Sequence, residues 1–187
     1  ALIAYASAYV KHYYPAAFTC AILNSQPMGF YAPHTLVEDV KRHGVEVRPV
    51  DVTRSGWEAT LEGRDGSSAP AVRLGLRSIR GLGATARDRL EEALAQGPFT
   101  SIEDVVRRSG LDQRGLRHLA EAGAFDALLP QEPDVRKRRA ALWRLLDEAR
   151  GDAGPLAPRR RVAERASIAP VPAMTRVELT EADYRMT

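Results

Sequence analysis

A mainly helical fold with one small β-sheet is what the sequence predicts, and three observations predict it. Apolar residues recur at helical spacing through most of the chain, valines alternate with other residues from Val45 to Val52, and glycines cut the stretch from Arg77 to Leu128 into short helical pieces. Of the 187 residues, 44% are hydrophobic and 27% charged, a balance that lets a core form and argues against a disordered chain. The longest apolar runs, Ala1 to Val10 and Ala16 to Leu23, are broken by polar residues well short of the roughly 18 that a membrane span needs. A single cysteine makes no internal disulfide and four scattered histidines offer no zinc-ligand spacing, so a reducing, cytoplasmic compartment is expected. The chain lacks a signal-peptide pattern and does not begin with Met, which fits a piece of a longer protein.

The elements follow in order. Pro15 is tolerated at a helix start but not in its interior, so Ala1 to Asn24 reads as two helices meeting near Tyr14. Leu36, Val37 and Val40 mark a third helix, which Gly44 ends. Short strands are expected through Val45, Val47, Val50 and Val52, then Trp57, Ala59 and Leu61, then Ala71 to Leu74, with a turn-rich stretch from Glu62 to Pro70. Glycines at 81, 83, 97, 110 and 123 then divide what reads as two helical hairpins packed together, with Thr100 or Ser101 as a helix cap. Val135 to Arg150 reads as a longer helix with Leu142, Leu145, Leu146 and Ala149 on one face. Prolines and glycines around Arg159 to Arg161 give residues 151–172 a linker composition, and Met174 to Thr187 reads as the start of a further element.

Net charge is +3, from 27 basic and 24 acidic residues, and lysine occurs only at Lys11, Lys41 and Lys137. Such arginine usage suits bidentate phosphate contacts and equally suits a mere compositional bias, because composition does not say where charges sit. Position is more informative. In Ile79-Arg80-Gly81-Leu82-Gly83, followed by a helix from Ala84, two glycines around one apolar residue let the backbone turn tightly and approach a ligand. The unpaired amides that open the next helix form an anion site that would hold a phosphate oxygen without reading a base. The candidate binding set is therefore the backbone at Gly81, Leu82, Gly83 and Ala84, with Arg77, Arg80 and Arg87 nearby. In the second hairpin the turn carries Ser109, Gly110, Leu111, Asp112 and Gln113, with one glycine and an acid where phosphate would approach. Its role reads as packing more than binding. Arg114 and Arg117 on its following helix are either phosphate contacts or solvated charges.

The sequence Ala84 to Arg108, with a helix, Gly97-Pro98-Phe99 and a capped helix, resembles the layout of helix-hairpin-helix modules. That resemblance implies a tandem helix-hairpin-helix domain whose hairpin carbonyls, at Arg77, Ile79 and Leu82, can hold a monovalent cation that assists phosphate binding. A wider resemblance rests on AYASAYVKHYYPAAF from Ala4, LNSQPMGFYAP from Leu23, HGVEVRPVDV from His43 and LGLRSIRGLG from Leu74. These motifs are similar to bacterial C-family DNA polymerase III alpha subunits, and LNSQPMGFYAP to their error-prone, translesion branch. The resemblance implies three parts: residues 1–75 from the end of the fingers region with a small sheet, residues 76–150 with the hairpins and the following helix, and residues 151–187 as a linker toward another domain.

The resemblance also implies duplex DNA, as primer-template, for a partner, and translesion accessory proteins as further partners. The family's nucleotidyl transfer uses clustered palm aspartates that hold two magnesium ions. No such cluster occurs here: Asp51 and Asp39 stand apart, so the chain is expected to be inactive alone and to carry no cofactor beyond the hairpin cation. Gln131 to Val135 does not match the clamp-binding peptide of replicative members. The basic cluster from Arg136 to Arg139 could bind DNA or an acidic partner, or form the solvated side of a packed helix. Tyr13, Tyr14, Phe30 and Tyr31 could stack on bases or pack in turns, and Cys20 reads as a small apolar residue rather than a nucleophile.

Overall fold

A computed structural model describes residues 2–27, 32–64, 67–151 and 172–186. Its elements run α1 (Leu2–Tyr13), α2 (Pro15–Asn24), α3 (Pro33–Arg42), β1 (Val47–Arg48), β2 (Thr60–Arg64), β3 (Ser67–Arg73), α4 (Ala84–Ala95), α5 (Ile102–Ser109), α6 (Gln113–Glu121), α7 (Asp134–Gly151) and α8 (Arg176–Met186). Single 3-10 turns at Leu76–Ser78 and Asp126–Leu128 complete it. The mainly helical class with one small sheet is thus the observed one. Two compact units divide the chain: Ala1–Val50 with Arg54–Ser78, and Asp51–Thr53 with Ile79–Met186. The expected linker falls mostly on residues 152–171, and the proposed stacking residues Phe30 and Tyr31 on 28–31, all outside the described residues.

In the first unit, Pro15 supplies the first position of α2, where its missing N–H costs nothing, and so separates α2 from α1. Ala16 and Leu23 of α2 pack with Ala59 and Val72 into a buried cluster, with Cys20, Leu36, Val37, Val45 and Leu74 against it. The Cys20 thiol donates to the Ala59 carbonyl at 3.1 Å, and burial, with help from Glu58, pushes its pKa up. That environment disfavours the thiolate, in keeping with a packing role. Asn24 reaches the same residue: its amide donates to Ala59 O at 2.9 Å and its oxygen accepts from Ala59 N at 2.8 Å. One side chain thereby satisfies both polar groups of a buried backbone position.

The sheet has the order β1-β3-β2, with β1 parallel and β2 antiparallel to β3. The stretch Glu62 to Pro70, expected as turn, is instead largely strand, since Glu62 pairs with Ala71 and Arg64 with Ser67. The register shifts between Glu62 and Arg64, next to Pro70, which has no N–H to give the ladder; a local irregularity lets a proline sit in the middle strand. Three strands share one carboxylate. Glu62 accepts from Arg73 at 2.9 and 3.1 Å and from Arg48 at 2.7 Å, while Arg73 also donates to Pro49 O at 2.9 Å. The Arg73 hydrogen bonds, opposed by partial burial and joined by Arg48, lower the Glu62 pKa to about 2.

The second unit is a helical bundle in which Phe99, Ile102, Val105, Leu116, Leu119, Phe125 and Leu129 are buried. Asp51–Thr53 joins it through Val52 N, which donates to Ala124 O at 2.9 Å. On α7 the buried positions are Ala140 and Ala141, whereas Leu146 is 53% exposed. This differs from the expected leucine face: Leu142 and Leu145 are only half-buried, and the small side chains of Ala140 and Ala141 allow close approach of α7 to its neighbours α5 and α6. Helix α8 opens with a reciprocal cap, Thr175 N donating to Glu178 Oε2 at 2.7 Å and Glu178 N to Thr175 Oγ1 at 3.2 Å. It lies against α7 through Arg138 to Asp183 and Arg139 to Glu178, each 2.6 Å. Asp126, at the turn before α7, has a buried oxygen without a hydrogen bond; burial raises its pKa to about 6 against the pull of Arg138 and Lys137.

Opposite pH dependences follow for the two units. Glu62, depressed in the fold, gives stability that is complete above pH 4.5 and is lost as pH falls toward 2. Glu62→Gln is expected to destabilise the first unit by roughly 2–3 kcal/mol at pH 7 and by progressively less in acid, read from thermal melts across pH. Asp126, raised in the fold, costs stability as pH rises through about 6. Asp126→Asn is expected to stabilise the second unit by about 2 kcal/mol at pH 7.5 and to have no effect near pH 4, in the same melts.

Candidate nucleic-acid interface

Three helices of the second unit begin in three different ways. At α5, Ser101 caps the helix by accepting from Asp104 N at 3.1 Å. At α6, Asp112 accepts from Gly115 N at 2.8 Å, so the second hairpin fills its own helix start with a carboxylate. At α4, the cap position is Gly83, which has no side chain to offer, and no acidic residue lies in the first turn. The first hydrogen bond into the helix is Arg87 N to Gly83 O at 3.0 Å, which leaves the preceding amides of the turn as outward donors. A Cβ built on Gly83 would meet nothing within 4 Å, and its φ of −93° suits any residue. Gly83 therefore keeps an approach open rather than satisfying the backbone.

Gly81 is constrained in the opposite sense. Its φ is +86°, in the left-handed region, and an added Cβ would overlap the imidazole of His118. Around it Ile79 is buried, Leu82 half-buried, and Arg80, Gly81, Gly83 and Ala84 exposed. The apolar residues anchor the turn in the unit while the backbone between them stays at the surface. His118, on α6, is the residue that sequence reasoning missed. Its contact with Gly81 comes from a remote segment, and no local pattern near His118 signals it.

The arginines divide by what they touch. Arg77, in the first unit, donates to Asn24 O at 2.5 Å and Gln26 O at 2.8 Å, and so clamps the chain after α2. Arg87 pairs with Glu91 at 3.2 Å and Arg117 with Glu121 at 2.7 Å, all at or near the surface. Arg80 and Arg114 are exposed and make no ion pair among the described residues. Of the cluster at Arg136 to Arg139, Arg138 and Arg139 are turned onto α8. Asp39 pairs with Lys11 at 2.7 Å, and Asp51 accepts from Thr53 N and Oγ1 at 2.8 and 2.7 Å, which gives both structural partners. Among the described residues no three His, Cys, Asp or Glu side chains gather as a metal site, and no helix is long and apolar enough to cross a membrane.

A glycine turn feeding an uncapped helix, followed by a second hairpin, is a paired helical-hairpin architecture, and the comparisons agree. Residues 44–141, just over half of the chain, match the helix-hairpin-helix motif, and the chain belongs to that family. It is also similar to the error-prone DNA polymerase of Anaeromyxobacter dehalogenans (strain 2CP-C), 55% identical over 78% of this chain and 13% of the relative. The error-prone DNA polymerase of Anaeromyxobacter sp. (strain K) is 49% identical over 100% of this chain and 16% of the relative. That of Burkholderia mallei (strain ATCC 23344) is 50% identical over 80% of this chain and 14% of the relative. The chain thus spans about a sixth or less of the length of these curated relatives, and the likeness its motifs carry to the error-prone polymerase branch is shown.

The two glycines are expected to respond differently to substitution. Gly81→Ala should lower the stability of the second unit by about 2 kcal/mol or more, from the left-handed backbone and the collision with His118. Gly83→Ala should stay within about 0.5 kcal/mol of the parent. Thermal denaturation of the two variants checks both.

Proposed function

We propose that the chain holds the sugar-phosphate backbone of duplex DNA through its first hairpin, as the non-catalytic DNA-gripping part of an error-prone polymerase acting in translesion synthesis and repair. The observation that carries this reading is the uncapped start of α4 at Gly83, in a chain of the helix-hairpin-helix family whose other two hairpin helices are capped by their own side chains. A phosphate oxygen accepts from the first-turn amides of α4, and the positive end of the helix adds to the attraction. Gly83, lacking a side chain, lets the oxygen come within hydrogen-bonding distance. Arg80 and Arg114 add charge along the strand. Arg87 and Arg117 join them at little cost, because exposed ion pairs such as theirs are worth about 0–1 kcal/mol and exchange readily for phosphate. None of these groups reads a base, so the grip is independent of sequence.

The relatives' names place polymerase chemistry in proteins several times longer, and in this reading the primer-template is held here while nucleotidyl transfer is performed by residues elsewhere in such a protein. A monovalent cation fits the hairpin chemically. The Ile79 carbonyl accepts only a 3.5 Å bond from Leu82 N, which leaves its oxygen, with that of Leu82, as a neutral hard donor. When bound, such an ion supplies one positive charge beside the phosphate. Recruitment of accessory proteins through α7 is less well supported, because Arg138 and Arg139 are already bonded to α8.

Fluorescence anisotropy of a labelled primer-template duplex, at several salt concentrations and with two unrelated sequences, tests the reading. Similar affinities for both sequences that fall steeply with salt are expected. Gly83→Asp puts a carboxylate cap where the phosphate sits, and should weaken binding at least tenfold while leaving the melting temperature unchanged or higher. Arg80→Ala and Arg114→Ala should each reduce the salt slope by about one. Undiminished affinity in folded Gly83→Asp would take the first hairpin out of the binding site.

A further inference from the structure

We infer that His118 is a positioning residue for the phosphate site of the first hairpin, so that the second hairpin serves DNA binding as a support rather than as a second contact. The inference rests on the DNA-binding reading above. The second hairpin does not offer its own helix start, because Asp112 occupies it. Two of its contacts with the first hairpin's elements bear on the phosphate site. Arg89 of α4 donates to Gly110 O, in the second hairpin's turn, at 2.5 Å, which fixes the helix body. The Cε1–Nδ1 edge of the His118 ring occupies the space a Cβ on Gly81 would take, which fixes the turn before the helix.

Between these two points lie Leu82, Gly83 and the first amides of α4. Gly81 is at φ +86° and glycine has access to several other backbone regions, so something outside the turn must select this one. The imidazole does so by bulk. Its Nδ1 is buried with no hydrogen-bond partner among the described residues, so what this edge of the ring brings to Gly81 is bulk. Without the ring, Gly81 is free to populate other conformations, and the amides spend less time aimed at one phosphate. The effect is a loss of preorganisation.

Four variants of the 187-residue chain, measured by duplex anisotropy and thermal melting, test this: His118→Ala, His118→Phe, His118→Gln and His118→Ala combined with Gly83→Asp. His118→Ala and His118→Gln are expected to weaken binding roughly three- to tenfold, a coupling typical of packed neighbours. His118→Phe keeps a flat ring and should restore affinity to within about twofold. In the Gly83→Asp background, His118→Ala should weaken binding no further. Should His118→Ala fail to fold, the phenylalanine and glutamine variants make the same division. Parental affinity in folded His118→Gln, or an equal loss in the Gly83→Asp background, overturns the inference. Parental affinity in Gly83→Asp itself would instead overturn the DNA-binding reading, so the two failures are distinguishable.

Discussion

Arginine guanidinium groups turned onto main-chain carbonyls hold the short elements of this protein in place. Helices of about ten residues separated by glycine turns leave many carbonyl oxygens without partners, and a guanidinium with five donors can answer several at once. Arg108 shows how much one side chain can do. It donates to the carbonyls of Ala93, Gly97 and Pro98 at the α4–α5 junction, bonds Asp104 at 2.9 Å and lies 4.7 Å from the centre of the Phe99 ring. Arg77 does the same for the chain after α2, and Arg73 for the sheet. The basic character of the sequence is therefore partly spent inside the fold, and the charges left at the surface are fewer than composition suggests.

Within the second unit the start of α4 differs by what it lacks. It has neither a side-chain cap nor an acidic first turn, as is also true of α2 and α3 in the first unit. By contrast, α5, α6 and α8 carry side-chain caps and α7 an acidic first turn. The contrast between Gly83 and Asp112 makes the two hairpins unequal although their layout repeats. The first presents backbone, and the second presents a carboxylate and a ring that seats its neighbour. In the DNA-binding reading proposed above, the first hairpin serves for contact and the second for support.

Much of the fold was legible in the sequence because it is set by local chemistry. Pro15 marks the α1–α2 break since proline lacks an N–H, Gly44 and Gly110 end helices by taking positive φ, and Ser101 caps α5 through its own hydroxyl. The hairpin turn at Gly81 and Gly83 was visible for the same reason. Where the reading failed, long-range contacts decided. The strands through Glu62 to Pro70 depend on pairing with one another and on the Arg48–Glu62–Arg73 bonds, which override turn-forming residues. On α7, leucine spacing suggested a buried face, but Leu142 and Leu145 are only half-buried and Leu146 is exposed, while Ala140 and Ala141 are buried instead.

The sequence by itself determined which residues can form a tight, approachable turn and where the helices start and stop, because those properties belong to single residues and their neighbours. Only the tertiary structure decided which arginines remain free and which are consumed, and that His118 lies beneath Gly81. Those outcomes depend on carbonyls and rings brought together from distant parts of the chain, and no local pattern records that proximity.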